Sequence, residues 1–314
     1  MIEKNSKIYV AGHRGMVGSA IVRRLINEGY KNIICRTSKE LDLRNQNEVE
    51  EFFKYERPEY VILAAAKVGG IQANIKMPAD YLIENLQIQT NVIYSSFKYN
   101  VKKLLFLGSS CIYPTNAPQP LKEEYLLTSP LEPTNEGYAI AKIAGLKMCE
   151  YYNKQYNKNF ISIMPCNLYG INDNFNLENS HVMAALIRKF HEGKVNNLPY
   201  VTVFGTGNQY REFMYIDDLA EGAIFLMNNY SEKGFINIGT GTDITIKELS
   251  YKIKEIVGYK GEILFDTSKP DGMNRKLLDI SKINELGWKS NTSLDDGIKK
   301  TYDYYLKILS NKEW

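Results

Sequence analysis

The stretch Lys7-Ile8-Tyr9-Val10-Ala11-Gly12-His13-Arg14-Gly15-Met16-Val17-Gly18 decides the fold of this 314-residue chain. Its beginning is typical of a short buried strand, and a helical pattern at 20–25 follows the glycines. A strand, a glycine-rich turn and a helix in this order are typical of dinucleotide-binding proteins. There the glycines let the backbone approach a pyrophosphate, and the helix N-terminus faces its charge. The spacing G-x-x-G-x-x-G differs from the more general G-x-G-x-x-G, so the motif alone is weak evidence.

A tyrosine and a lysine four residues apart supply the second signal. Tyr138 and Lys142 share one face of a helix predicted at 137–156, which follows the run Gly108-Ser109-Ser110-Cys111. An ammonium beside a phenol can lower the phenol's pKa from about 10 and make it a usable proton donor or acceptor. The pair indicates carbonyl reduction or alcohol oxidation. A solvated helix face is the alternative for such a pair, and the glycine motif argues against it.

Charge near the second predicted strand indicates which dinucleotide binds. NAD enzymes place an acid on the ribose hydroxyls about 20 residues beyond the glycines. Here Arg36 follows the strand predicted at 32–35, and Arg14 inside the glycine loop can approach the same place. Because guanidinium forks match phosphate oxygens, the sequence predicts NADP(H) as the cofactor. Two ordinary surface arginines are the alternative.

Composition narrows the class of protein. The chain is 44% apolar and 24% charged, which is ordinary for a globular protein, and its net charge of +3 is too small to suggest a nucleic-acid surface. It has neither an apolar run near 18 residues nor the apolar segment of a signal peptide, so we expect a cytoplasmic enzyme with no membrane partner. The cysteines lack metal-ligand spacing, which predicts neither a metal site nor a disulfide framework: Cys35, Cys111, Cys149 and Cys166.

Strand and helix patterns alternate through the first half of the chain. Apolar strands are predicted at 60–66, 104–108 and 161–165, and helices at 45–55, 79–100 and 137–156. This alternation predicts an α/β fold with a Rossmann-type, doubly wound parallel sheet. We expect a cofactor-binding domain at 1–165, to which later segments return, and a smaller, mixed α/β domain at 166–314. The latter has a loop at 172–176, a helix at 181–192 and a strand at 201–204.

Dispersed motifs cover almost the whole chain. They are AGHRGMVGSA at 11–20, LAAAKVGGI at 63–71, LGSSCIYP at 107–114, EPTNE at 132–136, NSHV at 179–182, REF at 211–213 and SKPDG at 268–272. Together they resemble the extended branch of the short-chain dehydrogenase/reductase family, and within it the enzymes that epimerise and reduce GDP-4-keto-6-deoxy sugars. The resemblance implies NADPH-dependent reduction of a C4 ketone, with prior epimerisation at C3 and C5.

The resemblance also implies catalytic roles. Ser109 would hydrogen-bond the C4 carbonyl, Tyr138 would give it a proton, and Lys142 would bind the nicotinamide ribose. A C4 ketone acidifies the protons on C3 and C5, so inversion needs one group that removes a proton and another that delivers one. Cys111 and His181 hold those positions in the family.

The resemblance to the family also implies which residues contact the cofactor and the substrate. Cofactor contacts are implied for Gly12, Arg14, Gly15, Met16, Val17, Gly18, Arg36, Ser38, Asp42, Leu43, Ala65, Leu107, Gly108, Pro165, Asn167 and Leu168. Substrate contacts are implied for Asn167, Arg188, Lys189, Phe204, Arg211 and Lys276. Lys189 and Arg211 would meet the diphosphate, and Phe204 would lie near the guanine. A homodimer formed through two helices of each subunit is expected by analogy.

Some positions depart from the family pattern. Family members carry proline where this chain has Gly137, Ile171 and Ala184, and tryptophan where it has Phe204. These changes leave open a reductase-only enzyme that acts on a related GDP-4-keto-6-deoxy sugar such as a heptose. A 4,6-dehydratase is disfavoured because Ser110-Cys111-Ile112 offers no carboxylate. A non-catalytic NADP-sensing protein is the remaining alternative, and it would not need the tyrosine–lysine pair.

Overall fold

The computed structural model describes residues 1–269 and 272–310. Its strands are β1 (Lys7–Ala11), β2 (Asn32–Ile34), β3 (Tyr60–Leu63), β4 (Lys103–Leu107), β5 (Phe160–Pro165), β6 (Asn167–Tyr169), β7 (Tyr200–Phe204), β8 (Tyr210–Tyr215), β9 (Phe235–Ile238), β10 (Asp243–Thr245), β11 (Glu262–Asp266) and β12 (Arg275–Lys276). Its helices are α1 (Met16–Asn27), α2 (Gln46–Glu56), α3 (Ile71–Lys76), α4 (Pro78–Lys98), α5 (Glu136–Tyr156), α6 (Val182–Val195), α7 (Ile216–Asn229), α8 (Ile246–Val257), α9 (Ser281–Glu285) and α10 (Leu294–Ser310). Within those ranges, no helix is both long and apolar enough to cross a membrane.

A parallel sheet forms the centre of the molecule. In the described part of the chain it has six strands, in the order β2-β1-β3-β4-β5-β9. Helix α1 packs against α7, while α2 and α5 pack against α4, so helices form separate layers over the sheet. The strand order reverses beside β1, which creates the crevice where this class of fold binds its ligands. The predicted fold class is confirmed.

Burial explains why the inner strands are continuously apolar. Ile8, Val61 and Leu104 are fully buried, as are their apolar neighbours, because helices cover the sheet on both faces. The strand predicted at 60–66 is shorter in the structure and ends at Leu63. The chain leaves the sheet there because the backbone around Ala65 lies against the glycine turn that follows β1.

The glycine turn is too crowded for side chains at its first and last glycines. Gly12 has a φ of +85°, and a Cβ placed on it would lie 2.7 Å from the Cα of Ala65. A Cβ on Gly18 would lie 2.2 Å from the carbonyl oxygen of Gly12. These contacts hold the start of α1 close against β1 and β3, which is the packing role of glycines in a dinucleotide-binding turn.

The second half of the chain contributes to both parts of the molecule. Strand β9 returns to the central sheet, whereas β8 organises a smaller sheet, in which β10 is antiparallel to it and β6 and β12 are parallel to it. Strands β7 and β11 form a separate parallel pair. Helix α8 packs against both α6 and α10. In the chain, β6 directly follows β5 and β10 directly follows β9. The smaller sheet therefore lies close to the carboxyl edge of the central sheet.

A buried lysine closes the end of one helix. Lys103, at the start of β4, is 5% exposed, and its ammonium donates to the carbonyls of Leu226 at 3.1 Å, Met227 at 2.8 Å and Tyr230. Carbonyls at a helix C-terminus lack partners within the helix, and a cation there also interacts favourably with the helix dipole. Burial lowers the pKa of Lys103 to about 8.

We expect Lys103→Met to lower the free energy of unfolding by about 1–3 kcal/mol, because the carbonyls at the end of α7 would stay buried without their donor. Lys102→Met is the matched control, since Lys102 is exposed and pairs with Glu59 at the surface. Its expected effect is about 0–1 kcal/mol. Urea denaturation at neutral pH measures both, and equal effects would contradict the capping role.

Candidate active site

The predicted serine, tyrosine and lysine meet at the carboxyl end of β4. Ser109 follows that strand, and Tyr138 and Lys142 lie in the first turns of α5. The Ser109 hydroxyl lies close enough to the Tyr138 phenol to act on the pKa of that phenol, in the lowering direction. The Lys142 ammonium lies 5.7 Å from the centre of the Tyr138 ring. A hydroxyl, a phenol and a buried amine at one place form a group that can bind and protonate a carbonyl oxygen.

Lys142 is fixed by the strand that precedes Ser109. Its side chain is 3% exposed, its Nζ donates to the carbonyl of Leu107 at 2.8 Å, and it lies 4.9 Å from the Phe106 ring centre. Burial lowers the pKa of Lys142 to about 7. The amine can therefore change its charge near neutral pH when another charged group arrives.

The expected lowering of the Tyr138 pKa by Lys142 is not found. Burial of the phenol raises its pKa well above the ordinary value, and the neighbouring Cys111 raises it further. The hydroxyl of Ser109 acts in the opposite direction but is the smaller effect. Tyr138 is therefore a neutral phenol in this site, which is the form that can give a proton to a carbonyl oxygen.

Cys111 lies in the same cluster, in the short helical turn Ser110–Ile112. Its backbone N–H donates to the Ser109 hydroxyl at 3.2 Å. Two side-chain donors approach its sulfur: Nδ2 of Asn135 at 3.4 Å and Nζ of Lys276 at 3.7 Å. Two donors from different parts of the chain therefore approach this sulfur.

His181 lies on a different element from the cluster. It is the N-cap residue of α6, and its side chain is solvent-accessible. The protein around the imidazole still lowers its pKa below the ordinary value, because it removes part of the solvent. A Cβ on Gly70 would lie 3.4 Å from the carbonyl oxygen of Ser180, so the segment before His181 lies against the loop that follows β3.

The predicted cofactor residues follow the strand ends of the central sheet. Met16 and Val17 begin α1, Ala65 lies just beyond β3, Leu107 and Gly108 end and follow β4, Pro165 ends β5, and Asn167 and Leu168 lie in β6. Asp42 and Leu43 belong to the loop before α2, where Asp42 accepts hydrogen bonds from Arg44 and the carbonyl of Leu43 accepts one from Asn91. Ser38 is exposed in that loop. Apart from Asp42, Leu43 and Ser38, the predicted cofactor residues lie at or just beyond the carboxyl ends of the strands, which is the edge where this class of fold binds its ligands.

The N-terminus of α1 offers an anion site. Gly15 is its N-cap residue and supplies no side-chain cap, and the first turn contains no acidic residue. Its amide groups therefore remain available to a ligand. Arg14 is exposed beside them, and Arg36 lies two residues beyond β2. The Arg36 guanidinium donates to Glu56 and to the carbonyl of Cys35, which fixes its orientation.

The predicted substrate residues fall into separate groups. The Lys189 ammonium lies 4.3 Å from the ring centre of Phe204, which is 57% exposed, and it donates to the carbonyl of Thr202 at 3.0 Å. Arg211 on β8 is paired in register with Lys276 on β12. Arg188 instead bonds to Glu192 and to the carbonyl of Phe175. Pro270 and Asp271 of the SKPDG motif lie outside the described residues.

Two residues of the quoted motifs have structural roles that motif reading did not assign. Asn135 donates to the sulfur of Cys111. Glu212 is 0% exposed, and its carboxylate accepts the backbone N–H groups of Thr240 at 2.7 Å, Gly241 at 2.8 Å and Leu278 at 2.9 Å. The sequence did contain a signal for the role of Glu212, because it is a charged residue directly before the apolar end of β8. A buried charge needs hydrogen-bond partners.

Comparison with known proteins agrees with this geometry. The profile of the NAD dependent epimerase/dehydratase family matches residues 8–239, which include the glycine turn, the serine–tyrosine–lysine cluster and β9. The chain belongs to this family. The resemblance drawn from the motifs is thereby confirmed, and the family's Rossmann sheet is the one described above.

Individual relatives are similar over their whole length. The chain is 57% identical to GDP-L-fucose synthase 1 of Arabidopsis thaliana, covering 99% of this chain and 97% of the relative. It is 50% identical to GDP-L-fucose synthase of Escherichia coli K12, covering 96% and 97%. A solved GDP-mannoheptose C4 reductase from Campylobacter jejuni with NADP bound is 44% identical, with a TM-score of 0.90 and coverage of 98% and 100%.

The carboxylate of Glu212 generates a stability prediction. Glu212→Gln replaces one acceptor oxygen with a donor that would face backbone N–H groups, so we expect a loss of about 1.5–3 kcal/mol in the free energy of unfolding. Glu255→Gln on the exposed surface of α8 is the matched control, with an expected change within about 0.5 kcal/mol. Thermal and urea unfolding measure the difference, and a loss no larger than that of the control would show that these bonds do not stabilise the fold.

Proposed function

We propose that this protein is an NADPH-dependent enzyme of the GDP-L-fucose synthase type. It reduces the C4 ketone of a GDP-4-keto-6-deoxy sugar after epimerising the sugar at C3 and C5. The observation that carries the proposal is the meeting of Ser109, Tyr138, Lys142 and Cys111 in one cluster. High identity to GDP-L-fucose synthases of plant and bacterial origin supports the choice of substrate.

The residues around the glycine turn fit an NADP(H) cofactor. Gly12 and Gly18 let the start of α1 pack closely against β1 and β3, and the uncapped N-terminus of α1 can receive a pyrophosphate. Arg14 and Arg36 provide positive charge for a 2′-phosphate, as two guanidinium forks suit phosphate oxygens. The bound cofactor supplies the hydride for C4. A relative of 44% identity was solved with NADP bound, which supports the same cofactor here.

Reduction needs a proton at the carbonyl oxygen as hydride reaches C4. Ser109 orients the oxygen through its hydroxyl, and Tyr138 gives the proton, so the ketone becomes an alcohol and the phenol a phenolate. Lys142, held by the carbonyl of Leu107 with its ammonium 5.7 Å from the centre of the Tyr138 ring, is the cation that would stabilise this phenolate. Its pKa of about 7 lets it take up a proton when negative charge develops beside it.

Epimerisation uses the same carbonyl without net oxidation or reduction. The Cys111 thiolate removes a proton from the carbon next to C4, so the C–H bond breaks, an S–H bond forms and the electron pair moves to the carbonyl oxygen as an enolate. Ser109 and Tyr138 hydrogen-bond this oxygen. A proton from His181 then forms the new C–H bond from the opposite face. Exchange with solvent restores both groups before the second centre is inverted.

The exposed surface around Phe204 suits the GDP portion of the substrate. Phe204 is 57% exposed beside Lys189, which offers an apolar face and a cation at one place, as a guanine and a diphosphate would need. Arg211 is paired in register with Lys276, whose ammonium lies 3.7 Å from the sulfur of Cys111. Arg188 is engaged within α6 and would act on the nucleotide only after exchanging its bond to Glu192.

The quaternary structure and location follow from analogy. Helices α4 and α5 pack together and expose apolar residues, with Ile83 51%, Ile140 44% and Tyr151 62% exposed. A second copy covering these helices would form a homodimer with a four-helix interface. The protein would act in the cytoplasm, without a nucleic-acid or membrane partner.

A reductase-only enzyme for a heptose is the second candidate function. The similarity to a GDP-mannoheptose C4 reductase favours it, as the identity of 44% covers nearly the whole chain. Gly137 is the local difference that bears on it: a Cβ there would lie 2.9 Å from the carbonyl oxygen of Pro78, so glycine lets α5 approach α4 closely beside Tyr138. The higher identity to GDP-L-fucose synthases favours the first candidate.

The arginines predict the cofactor preference. Arg36→Ala should weaken NADPH binding by about 1.5–3 kcal/mol, the range for hydrogen bonds to charged groups, and should change NADH binding little. Glu56→Gln is the matched control, since it removes the partner of Arg36 but keeps the guanidinium, and NADPH preference should remain. Fluorescence titration gives the Kd values. Equal losses for both cofactors in Arg36→Ala would reject the assignment.

Deuterium incorporation tests the two activities separately. In heavy water with NADPH and GDP-4-keto-6-deoxy-mannose, the wild-type product should carry deuterium at C3 and C5, because both protons pass through Cys111 and His181. Cys111→Ser and His181→Asn should lose this incorporation far more than they lose reduction of an already epimerised 4-ketone. Tyr138→Phe is the matched variant for the other step and should lower reduction by about 10² to 10⁴-fold.

Mass spectrometry and NMR of the product distinguish the candidates. Reduction without deuterium at C3 or C5 in the wild-type protein would exclude the epimerase and support the reductase-only enzyme. Normal reduction by Tyr138→Phe would show that another group protonates the ketone.

A further inference from the structure

Lys276 reaches the proposed catalytic base from a distant part of the chain. Its Nζ lies 3.7 Å from the sulfur of Cys111, although 165 residues separate them in sequence. The resemblance of the sequence to its family implied that Lys276 contacts substrate. The observed contact is with the cysteine itself.

The backbone that carries Lys276 is anchored on both sides. Lys276 pairs in register with Arg211 of β8. The next residue, Leu277, donates its N–H to the side chain of Gln119 at 2.9 Å, and its carbonyl accepts the N–H of Leu121 at 2.7 Å. Leu278 then donates to the buried carboxylate of Glu212 at 2.9 Å. The lysine therefore extends from a fixed strand, and its approach to the sulfur is determined by these anchors.

The surroundings of the sulfur suit an anion better than a neutral thiol. A neutral thiol is a weak hydrogen-bond acceptor, whereas a thiolate accepts strongly from an ammonium and an amide. Lys276 and Asn135 both direct donors at the sulfur. Among the described residues, Tyr138 and Lys142 of α5 also interact electrostatically with this sulfur. Lys142 already donates to the carbonyl of Leu107.

We propose that Lys276 is a positioning residue for epimerisation, whose ammonium holds Cys111 as the thiolate and directs its lone pair towards the sugar. The proposal rests on the epimerase activity proposed above and assigns that activity a further group. When the thiolate takes the proton from carbon, an S–H bond replaces the ion pair and the electron pair of the C–H bond moves to the carbonyl oxygen. Lys276 stays protonated throughout, so it acts through Cys111 rather than on the substrate.

The first experiment measures the cysteine without any substrate. Iodoacetamide, a neutral reagent that reacts with thiolates, is applied to the free wild-type protein at neutral pH, and peptide mass spectrometry follows alkylation of Cys111. Lys276→Met should slow this alkylation by about tenfold or more, because a positive charge next to the sulfur is lost. Lys276→Arg should restore most of the rate. Lys282→Met, an exposed lysine of α9, is the control and should alkylate at the wild-type rate.

The second experiment measures the reaction. Lys276→Met should lower the ratio of deuterium exchange at C3 and C5 to reduction of an epimerised 4-ketone by about the same factor as alkylation, with Lys276→Arg in between. An unchanged alkylation rate in Lys276→Met would overturn the proposal. So would a raised KM with exchange and reduction reduced equally, because that result assigns Lys276 to substrate binding.

The two experiments separate failure of this proposal from failure of the proposed function. If the wild-type protein reduces the ketone without any exchange, the epimerase activity fails, and with it the catalytic role of Lys276. The alkylation rates still decide whether the lysine holds the thiolate.

Discussion

The buried carboxylate of Glu212 is the interaction on which the arrangement of the site depends. It joins β8 to the turn after β9, through Thr240 and Gly241, and to the strand that carries Lys276, through Leu278. The backbone carbonyl of Glu212 also accepts the side chain of Asn167 at 2.8 Å. Burial raises the pKa of Glu212, which means that the charged form is costly there and is stabilised mainly by these amide donors.

This interaction connects the two structural parts of the molecule. Strand β9 belongs to the central sheet, while β8 and β12 belong to the smaller one. The carboxylate on β8 bonds to the turn that directly follows β9 and to the segment that directly follows β12. The glycine turn fixes the backbone near the cofactor-binding edge, because Gly12 and Gly18 allow β1, β3 and α1 to approach one another. Backbone that is fixed on each side therefore surrounds the side chains that are proposed for catalysis.

Loss of solvent determines the chemical state of those side chains. Lys142 and Tyr138 are adjacent, but burial moves the lysine pKa down to about 7 and the tyrosine pKa upwards, so both tend towards their neutral forms. A neutral phenol can give a proton, and an amine of this pKa can accept one when negative charge appears beside it. The net charge of the site thus depends on the bound ligand and on Cys111, whose sulfur interacts electrostatically with both Tyr138 and Lys142.

The sequence by itself determined the fold class and the alternation of strands and helices in the first half of the chain, and it predicted the serine–tyrosine–lysine set. Those features follow from local patterns: buried apolar runs, the glycine spacing before Met16, and side chains four residues apart on one helix. The motifs also determined the family, because different family motifs are spread over almost the whole chain. Only the tertiary structure decided that Glu212 joins β8 to the segments after β9 and β12, that Asn135 and Lys276 meet the sulfur of Cys111, and that burial raises the pKa of Tyr138. Each of these features depends on contacts between residues far apart in sequence and on the removal of water around them. Local periodicity and motif spacing encode neither the contacts nor the burial.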